Sequence, residues 1–400
     1  MRAVRPLLLC AALACLSPVR AADLDEGKLN LIPERMKAFI DRGQISGAVT
    51  VVGRSNGTSR TDAFGSRDLA KQQPMKADTL FRIASMTKPI TAVGVMILVE
   101  QGKLKLDDPV EKYLPEFRGQ MMVASRDKDS VTLKKPPRPI TPRDLLTHTS
   151  GLAPYEPGLA GIYAKRDRTL AESVLAVSQK PLDFEPGSKW SYCNSGIDTL
   201  GRLIEVLSGE PYEQFLKRKI FEPLGMKDTV FYPEPGQATG IAQLHGVKDG
   251  KLVVSPDNLI GPGVGAKHPI PAGGLFSTGP DLAKFYRMML NKGKSADAQI
   301  LSEESVREMT KVHTRDMIAG FTPGMGFGLG WAVVKKPEGV TAMLSPGSYG
   351  HGGAFGTQAW LDPEKDLFMV LLIQRVGLSG GDGSELRRTL QTLAVDALKK

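Results

Sequence analysis

Apolar positions at Ile32, Met36, Phe39 and Ile40 recur at helical spacing and predict a helix over Leu31–Arg42, stopped by Gly43. Two runs, Ala48–Val52 and Thr58–Phe64, flank Ser55-Asn56-Gly57 and predict a β-hairpin with an Asn-Gly turn. The short apolar stretch Leu80–Ala84 then passes into a longer one, Ile90–Val99, in which Ile90, Val93, Ile97 and Leu98 bury a helix that Gly102 ends. Pro89 cannot sit deep inside a helix, so this one begins close to Ser85.

From Asp107 to about His268 the strand pattern gives way to prolines, glycines and short helical segments. Helices are predicted from Pro142 to Leu146, from Leu170 to Val177 and from Ser195 to Leu207, the last opened by Ser195 and Asp198 as a capping-box variant. After Gly273-Gly274 a helix follows at Leu282–Leu290, and strand signals return at Gly330–Val334, Gly356–Leu361 and Leu367–Gln374. An amphipathic helix, Leu386–Leu398, closes the chain. Strands at both ends around a helical middle predict an α/β chain of the α+β sandwich type. It has one mainly antiparallel sheet built from both chain ends, flanked by helices, and an inserted, mainly helical domain. The boundaries read as a discontinuous sheet domain at 22–106 and 269–400, with the helical domain at 107–268.

The first residues change the picture of where the chain works. Arg2 and Arg5, the apolar run Leu7–Leu16 and small residues at Val19 and Ala21 form a signal peptide over 1–21, implying export to the periplasm or medium. The run is too short for a membrane helix, which needs about 20 apolar residues. A lipoprotein anchor at Cys15 is disfavoured, because Ala12 stands where the usual leucine would be. Later in the chain no apolar run is long enough to span a membrane. Cys10 and Cys15 leave with the signal, so Cys193 has no partner for an internal disulfide and the fold must rest on its core. The formal charge of +9 falls by three with Arg2, Arg5 and Arg20. The one dense basic spot, Lys134-Lys135-Pro136-Pro137-Arg138, lacks interleaved aromatics, so no nucleic-acid partner is expected.

Three stretches carry chemistry. In Ser85-Met86-Thr87-Lys88 a hydroxyl and an ammonium share a helix face, about 5–6 Å apart between Cβ atoms. The helix N-terminus there also favours developing negative charge. Ser-x-x-Lys is weak alone, and Ser125-Arg126-Asp127-Lys128 fits it too. In Trp190-Ser191-Tyr192-Cys193-Asn194 an extended backbone would put Tyr192 and Asn194 on one side, and a nearby lysine cation would lower the phenol's pKa. In Tyr349-Gly350-His351-Gly352-Gly353-Ala354 the glycines permit close backbone approach, and the N–H groups of Ala354 and Ser85 could form an oxyanion hole. Other sites fall away. Gly377-Leu378-Ser379-Gly380-Gly381 fits G-x-S-x-G, but no histidine follows Ser379 to complete that triad. The five histidines are scattered and one cysteine builds no zinc cage, so no metal is expected.

Ser85 to Lys88, Tyr192 to Asn194 and His351 to Gly353 stand in the order and spacing of the three motifs of the serine β-lactamase and penicillin-binding superfamily, which this chain resembles. A tyrosine in the second motif resembles the class C branch, with its D-amino-acid peptidases and family VIII carboxylesterases. The segments Leu145–Leu152, Phe184–Gly196, Phe221–Asp228 and Gly273–Asp281 resemble it as well, so the likeness runs from about Leu31 to Leu398. The resemblance implies that Ser85 is acylated, that Lys88 and Tyr192 share the proton transfers, and that Asn194, His351, Gly352, Gly353 and Ala354 contact substrate. The site would lie in a cleft between the two domains, with no metal or organic cofactor.

This chain departs from the class C pattern at His351, where those enzymes carry lysine. A histidine of ordinary pKa is only roughly a quarter charged at pH 7, so carboxylate anchoring weakens. The expectation is an exported serine hydrolase acting on carboxylic esters through an acyl-enzyme. β-Lactams or D-amino-acid peptides are the alternative substrates, and a slowly turning-over penicillin- or peptide-binding protein is the third reading. Loops at Tyr155–Ile162 and Asp257–Pro271 would shape the acyl pocket, and oligomeric state is left open.

Overall fold

The computed structural model describes residues 24–399, apart from 58, 154–162, 164, 256–259 and 262–264. The signal segment 1–21, the loop Tyr155–Ile162 and part of Asp257–Pro271 therefore lie outside the described residues.

The centre is an eight-stranded antiparallel sheet. Its strands are β1 (Gly47–Gly53), β2 (Ser59–Asp68), β3 (Gln73–Pro74), β4 (Met325–Phe327), β5 (Ala332–Val334), β6 (Tyr349–Gly352), β7 (Gln358–Asp362) and β8 (Leu367–Leu372). They lie in the order β4-β5-β6-β7-β8-β1-β2-β3, so β1 from the N-terminal part pairs with β8 from the C-terminal part, Val51 opposite Val370. The apolar runs of β1 and β8 are continuous because both faces are covered. Val49, Val51, Phe368 and Val370 enter one core, while Ala48, Val52, Leu367 and Met369 enter the other. That second core is closed by helix α1 (Leu31–Asp41) and the C-terminal helix α5 (Glu385–Asp396).

On the first core lie α2 (Thr87–Glu100), α3 (Asn194–Ser208) and α4 (Gly279–Leu290). Helix α2 is buried on all sides from Thr87 to Leu98, as its nearly unbroken apolar composition requires. Among the described residues no helix is long and apolar enough to cross a membrane.

Two local expectations need correction. The region from Asp107 to His268 is not free of strands: it carries hairpins at Met122–Arg126 with Val131–Lys134 and at His245–Lys248 with Lys251–Val254. Their alternation was diluted because most of their residues face solvent. Ser125, of the rival Ser-x-x-Lys match, sits exposed in the first. The capping box at Ser195 and Asp198 does not form. Helix α3 starts one residue earlier, the Ser195 hydroxyl donates to the Ala153 carbonyl, and Asp198 accepts from the Ala272 N–H. The glycine-rich stretch at His351 forms the strand β6.

Candidate active site

Ser85 sits on a turn held from two sides. Phe81–Arg82 pairs with Phe276–Ser277, and the Ile83 N–H donates to the Leu275 carbonyl at 3.0 Å. Ala84 then takes a left-handed backbone, φ 46°, at a cost of order 1 kcal/mol for a residue with a Cβ, and a single 3₁₀ turn, Ala84–Met86, leads into α2. The turn is braced by the end of β6. A Cβ on Gly353 would lie 2.5 Å from the Ile83 carbonyl oxygen, so only glycine lets that strand close on the serine.

The Ser85 hydroxyl is the meeting point of two other groups. Lys88 Nζ lies 3.0 Å from Ser85 Oγ and donates to the Ala272 carbonyl at 2.6 Å. The Tyr192 hydroxyl donates to Ser85 Oγ at 2.8 Å. Lys88 has no exposed surface, and burial pulls its ammonium down to about 7 despite the opposing pull of Asp198 and Cys193. Near neutral pH a large fraction of Lys88 is thus a free amine able to take a proton from the hydroxyl.

The expected lowering of Tyr192 is not found. Burial, with Asp382 and Cys193 adding to it, pushes the phenol above its ordinary value against the Ser85 hydrogen bond; the Lys88 ammonium lies over the ring face, 4.7 Å from its centroid. Tyr192 is a proton donor at neutral pH.

What holds Tyr192 is His148, which the motifs did not single out. Its carbonyl accepts from the Ser191 N–H at 2.9 Å and its Nδ1 from the Cys193 N–H at 3.2 Å. The residue between is clamped, and the two rings touch, 4.6 Å between centroids. Deeper still, Asp198 Oδ1 accepts from the Ala272 N–H at 3.0 Å, so a buried carboxylate anchors the residue whose carbonyl holds Lys88. Cys193 is buried, and burial pushes its thiol up, which leaves it unreactive packing.

A cavity of about 320 Å³ opens over this cluster, lined by Ser85, Tyr192, His351, Gly352, Gly353 and Ala354. His351 is 3 % exposed. Its Nδ1 donates to the Gly352 carbonyl at 2.6 Å, and Nε2 is left without a partner. Burial and the Lys88 ammonium pull it down to about 3, so the ring is neutral at pH 7 rather than a quarter charged. The Ala354 N–H makes no hydrogen bond to a described residue. Asn194 is placed differently: it opens α3, its Oδ1 is buried without a partner, and it does not line the cavity. The cavity also takes Phe321, Gln358 and Asp382, none of which the sequence motifs included. Ser379, of the G-x-S-x-G match, lies exposed in a turn outside it.

Sheet, helical insertion and serine cluster together define a serine hydrolase of the β-lactamase/transpeptidase fold. The chain belongs to the Beta-lactamase family, whose pattern matches residues 31–394. It is 34% identical to Protein Rv1367c of Mycobacterium tuberculosis over 85% of this chain and 88% of that one. It is 30% identical to Esterase EstB of Burkholderia gladioli, over 90% and 96%. Among solved structures it is similar to EstCE1, a hydrolase with promiscuous acyltransferase activity, with a TM-score of 0.76, 26% identity, and 94% and 99% of the two chains covered.

Proposed function

We propose that the protein hydrolyses carboxylic esters through an acyl-enzyme on Ser85. The observation that carries this is the single oxygen of Ser85 within hydrogen-bond reach of both Lys88 and Tyr192. In this reading Lys88 takes the hydroxyl proton as Ser85 attacks, and Tyr192 donates to the departing alkoxide and is reprotonated from Lys88. Water then attacks the ester carbonyl, with the same pair reversing the transfer. The N–H groups of Ser85 and Ala354 receive the oxyanion. His351, Gly352 and Gly353 form the opposite wall, and Asn194 stands two residues after Tyr192 at the start of α3 with its buried Oδ1 unpaired.

Esters rank above lactams and D-amino-acid amides because the neutral His351 supplies no fixed cation for a substrate carboxylate, and because an alkoxide leaves more readily than an unprotonated amine. The likeness to EstB supports the same order. The reading keeps a leader at 1–21 with export to the periplasm or medium, and a cleft between the sheet domain (22–106 with 269–400) and the helical domain (107–268).

Mass spectrometry after treatment with a fluorophosphonate should find the adduct on Ser85. An unmodified Ser85, or full esterase turnover in Ser85→Ala, sinks the assignment. An aryl butyrate, a chromogenic cephalosporin and a D-alanyl anilide, compared by kcat/KM, should rank in that order.

A further inference from the structure

Among the described residues that line the cleft, Asp382 alone carries a formal charge. It sits in the turn Gly381–Gly383, and its Oδ1 accepts from Gln358 Nε2 at 2.5 Å. Gln358 Oε1 accepts in turn from Trp360 Nε1 at 3.0 Å. Both of these residues are at most 4 % exposed, so a fixed chain of donors holds the carboxylate in place. A Cβ on Gly352 would lie 2.0 Å from Asp382 Oδ1; the carboxylate rests against the backbone of β6, one residue from His351.

Its other oxygen receives no hydrogen bond, and neither oxygen an ion pair, from the described residues. Arg387 sits behind the wall. It is 2 % exposed, lies over the Trp360 ring at 3.9 Å, and donates to the main-chain carbonyl of Asp382 at 2.7 Å, not to the carboxylate. On the cleft side stand two aromatic rings, Phe321 and Tyr192, 4.9 Å apart and edge to face. The neutral His351 adds no positive charge. A carboxylate with one oxygen unpaired, lining the same cavity as two aromatic rings, attracts a cation there by charge and by ring quadrupole, and repels an anion.

We infer that Asp382 makes the cleft select substrates that carry an ammonium group near the scissile bond and disfavour those with a carboxylate there. The inference rests on the Ser85 hydrolase reading and names its substrate class. It is tested with the full chain on three esters of one acid: butyrylcholine, its uncharged isostere 3,3-dimethylbutyl butyrate, and butyryloxyacetate. The choline ester should exceed the isostere in kcat/KM by roughly tenfold, and the carboxylate ester should fall below it by a similar factor, as for one partly solvated charge pair. Asp382→Asn should bring the three together, and Asp382→Lys should reverse their order. Equal kcat/KM for all three in the unmodified protein overturns the proposal.

An NMR titration with choline needs no turnover. Saturable binding that weakens in Asp382→Asn supports the subsite, and binding indifferent to the substitution overturns it. If none of the esters is cleaved but choline binding depends on Asp382, the ester reading fails and the ammonium subsite stands.

Discussion

The two walls of the cleft are built on opposite rules. On the helix side, Lys88, Asp198 and His148 are fully or almost fully buried, and each is tied to a main-chain group: the Ala272 carbonyl, the Ala272 N–H and the Cys193 N–H; the unpaired His148 Nε2 and Asn194 Oδ1 on this side do not line the cavity. On the sheet side, β6 and the loop after it leave His351 Nε2, the Ala354 N–H and one Asp382 oxygen without partners. Of these only His351 Nε2 is buried, where a missing partner costs about 1–3 kcal/mol; the Ala354 N–H and the Asp382 oxygen stand at the open cavity, where a ligand can meet them. The contrast teaches that the reacting groups are fixed by the fold while recognition is left to groups that substrate completes. Substitutions on the helix side should therefore lower the rate for every substrate. Substitutions on the sheet side should change the order of substrates.

The largest effect is expected at Lys88. Lys88→Met should lower kcat by roughly a thousandfold or more for all esters, since it removes the base. It should also stabilise the protein. The folded-state pKa of about 7 lies below the 10.5 of an exposed lysine, so between these values the unfolded chain binds a proton that the folded site refuses. Stability of the unmodified protein should thus rise with pH across that window, and below pH 7 the full penalty of a buried ammonium is present. Urea unfolding at pH 6 should show Lys88→Met more stable by about 1–3 kcal/mol, after the lost hydrogen bonds are offset. Identical pH slopes for the two proteins between pH 7 and 10 would refute the buried-amine account. The same value places the acid limb of kcat/KM near pH 7.

An intermediate effect is expected at His148. Removing the ring in His148→Ala leaves the Cys193 N–H unpaired and a gap beside Tyr192, while the backbone contact to Ser191 stays. Stability should fall by about 2–4 kcal/mol and kcat by roughly 10- to 100-fold, with KM changing less. Steady-state kinetics on the substrate panel checks the wall argument as well. A variant that loses one substrate selectively would place His148 in recognition rather than in holding Tyr192.

The helix side was the more legible in the sequence. Ser85 and Lys88 stand three residues apart, from the 3₁₀ turn into the start of α2, and their spacing alone sets their shared face. The strands β1 and β8 were legible because burial on both faces demands unbroken apolar runs. What could not be read depends on contacts between distant segments. Ser195 and Asp198 have the spacing of a cap, but Ala153 and Ala272 take their hydrogen bonds. Burial of Tyr192, with Asp382 adding to it, reverses the pKa shift that a nearby lysine alone suggested. The strand β6 carries glycine and histidine in place of β-branched residues, so propensity misses it. Asp382 lies among glycines that read as a turn; the signal available was an acid inside a glycine-rich loop after the last sheet strand.

The smallest change in overall rate, and the sharpest test of the division between walls, is expected at His351. The ring is neutral down to about pH 3, so it contributes no charge to substrate binding over the working range, and the pH profile between 5 and 9 should carry no step from it. His351→Lys sets a long, charged side chain in a wall that has an unpartnered nitrogen and a cavity in front of it. The new ammonium has Asp382 within the same cleft as a counter-charge, which helps it stay protonated, whereas Lys88 opposes it. For an anionic substrate the charge facing it changes from one negative group to a balanced pair. The kcat/KM ratio of a carboxylate-bearing ester to its neutral isostere should rise by about tenfold, while activity on the neutral ester falls by only a few-fold. A ratio that stays fixed while both rates collapse together would mean that His351 belongs with the reacting groups of the helix side, and the division between the two walls would have to be redrawn.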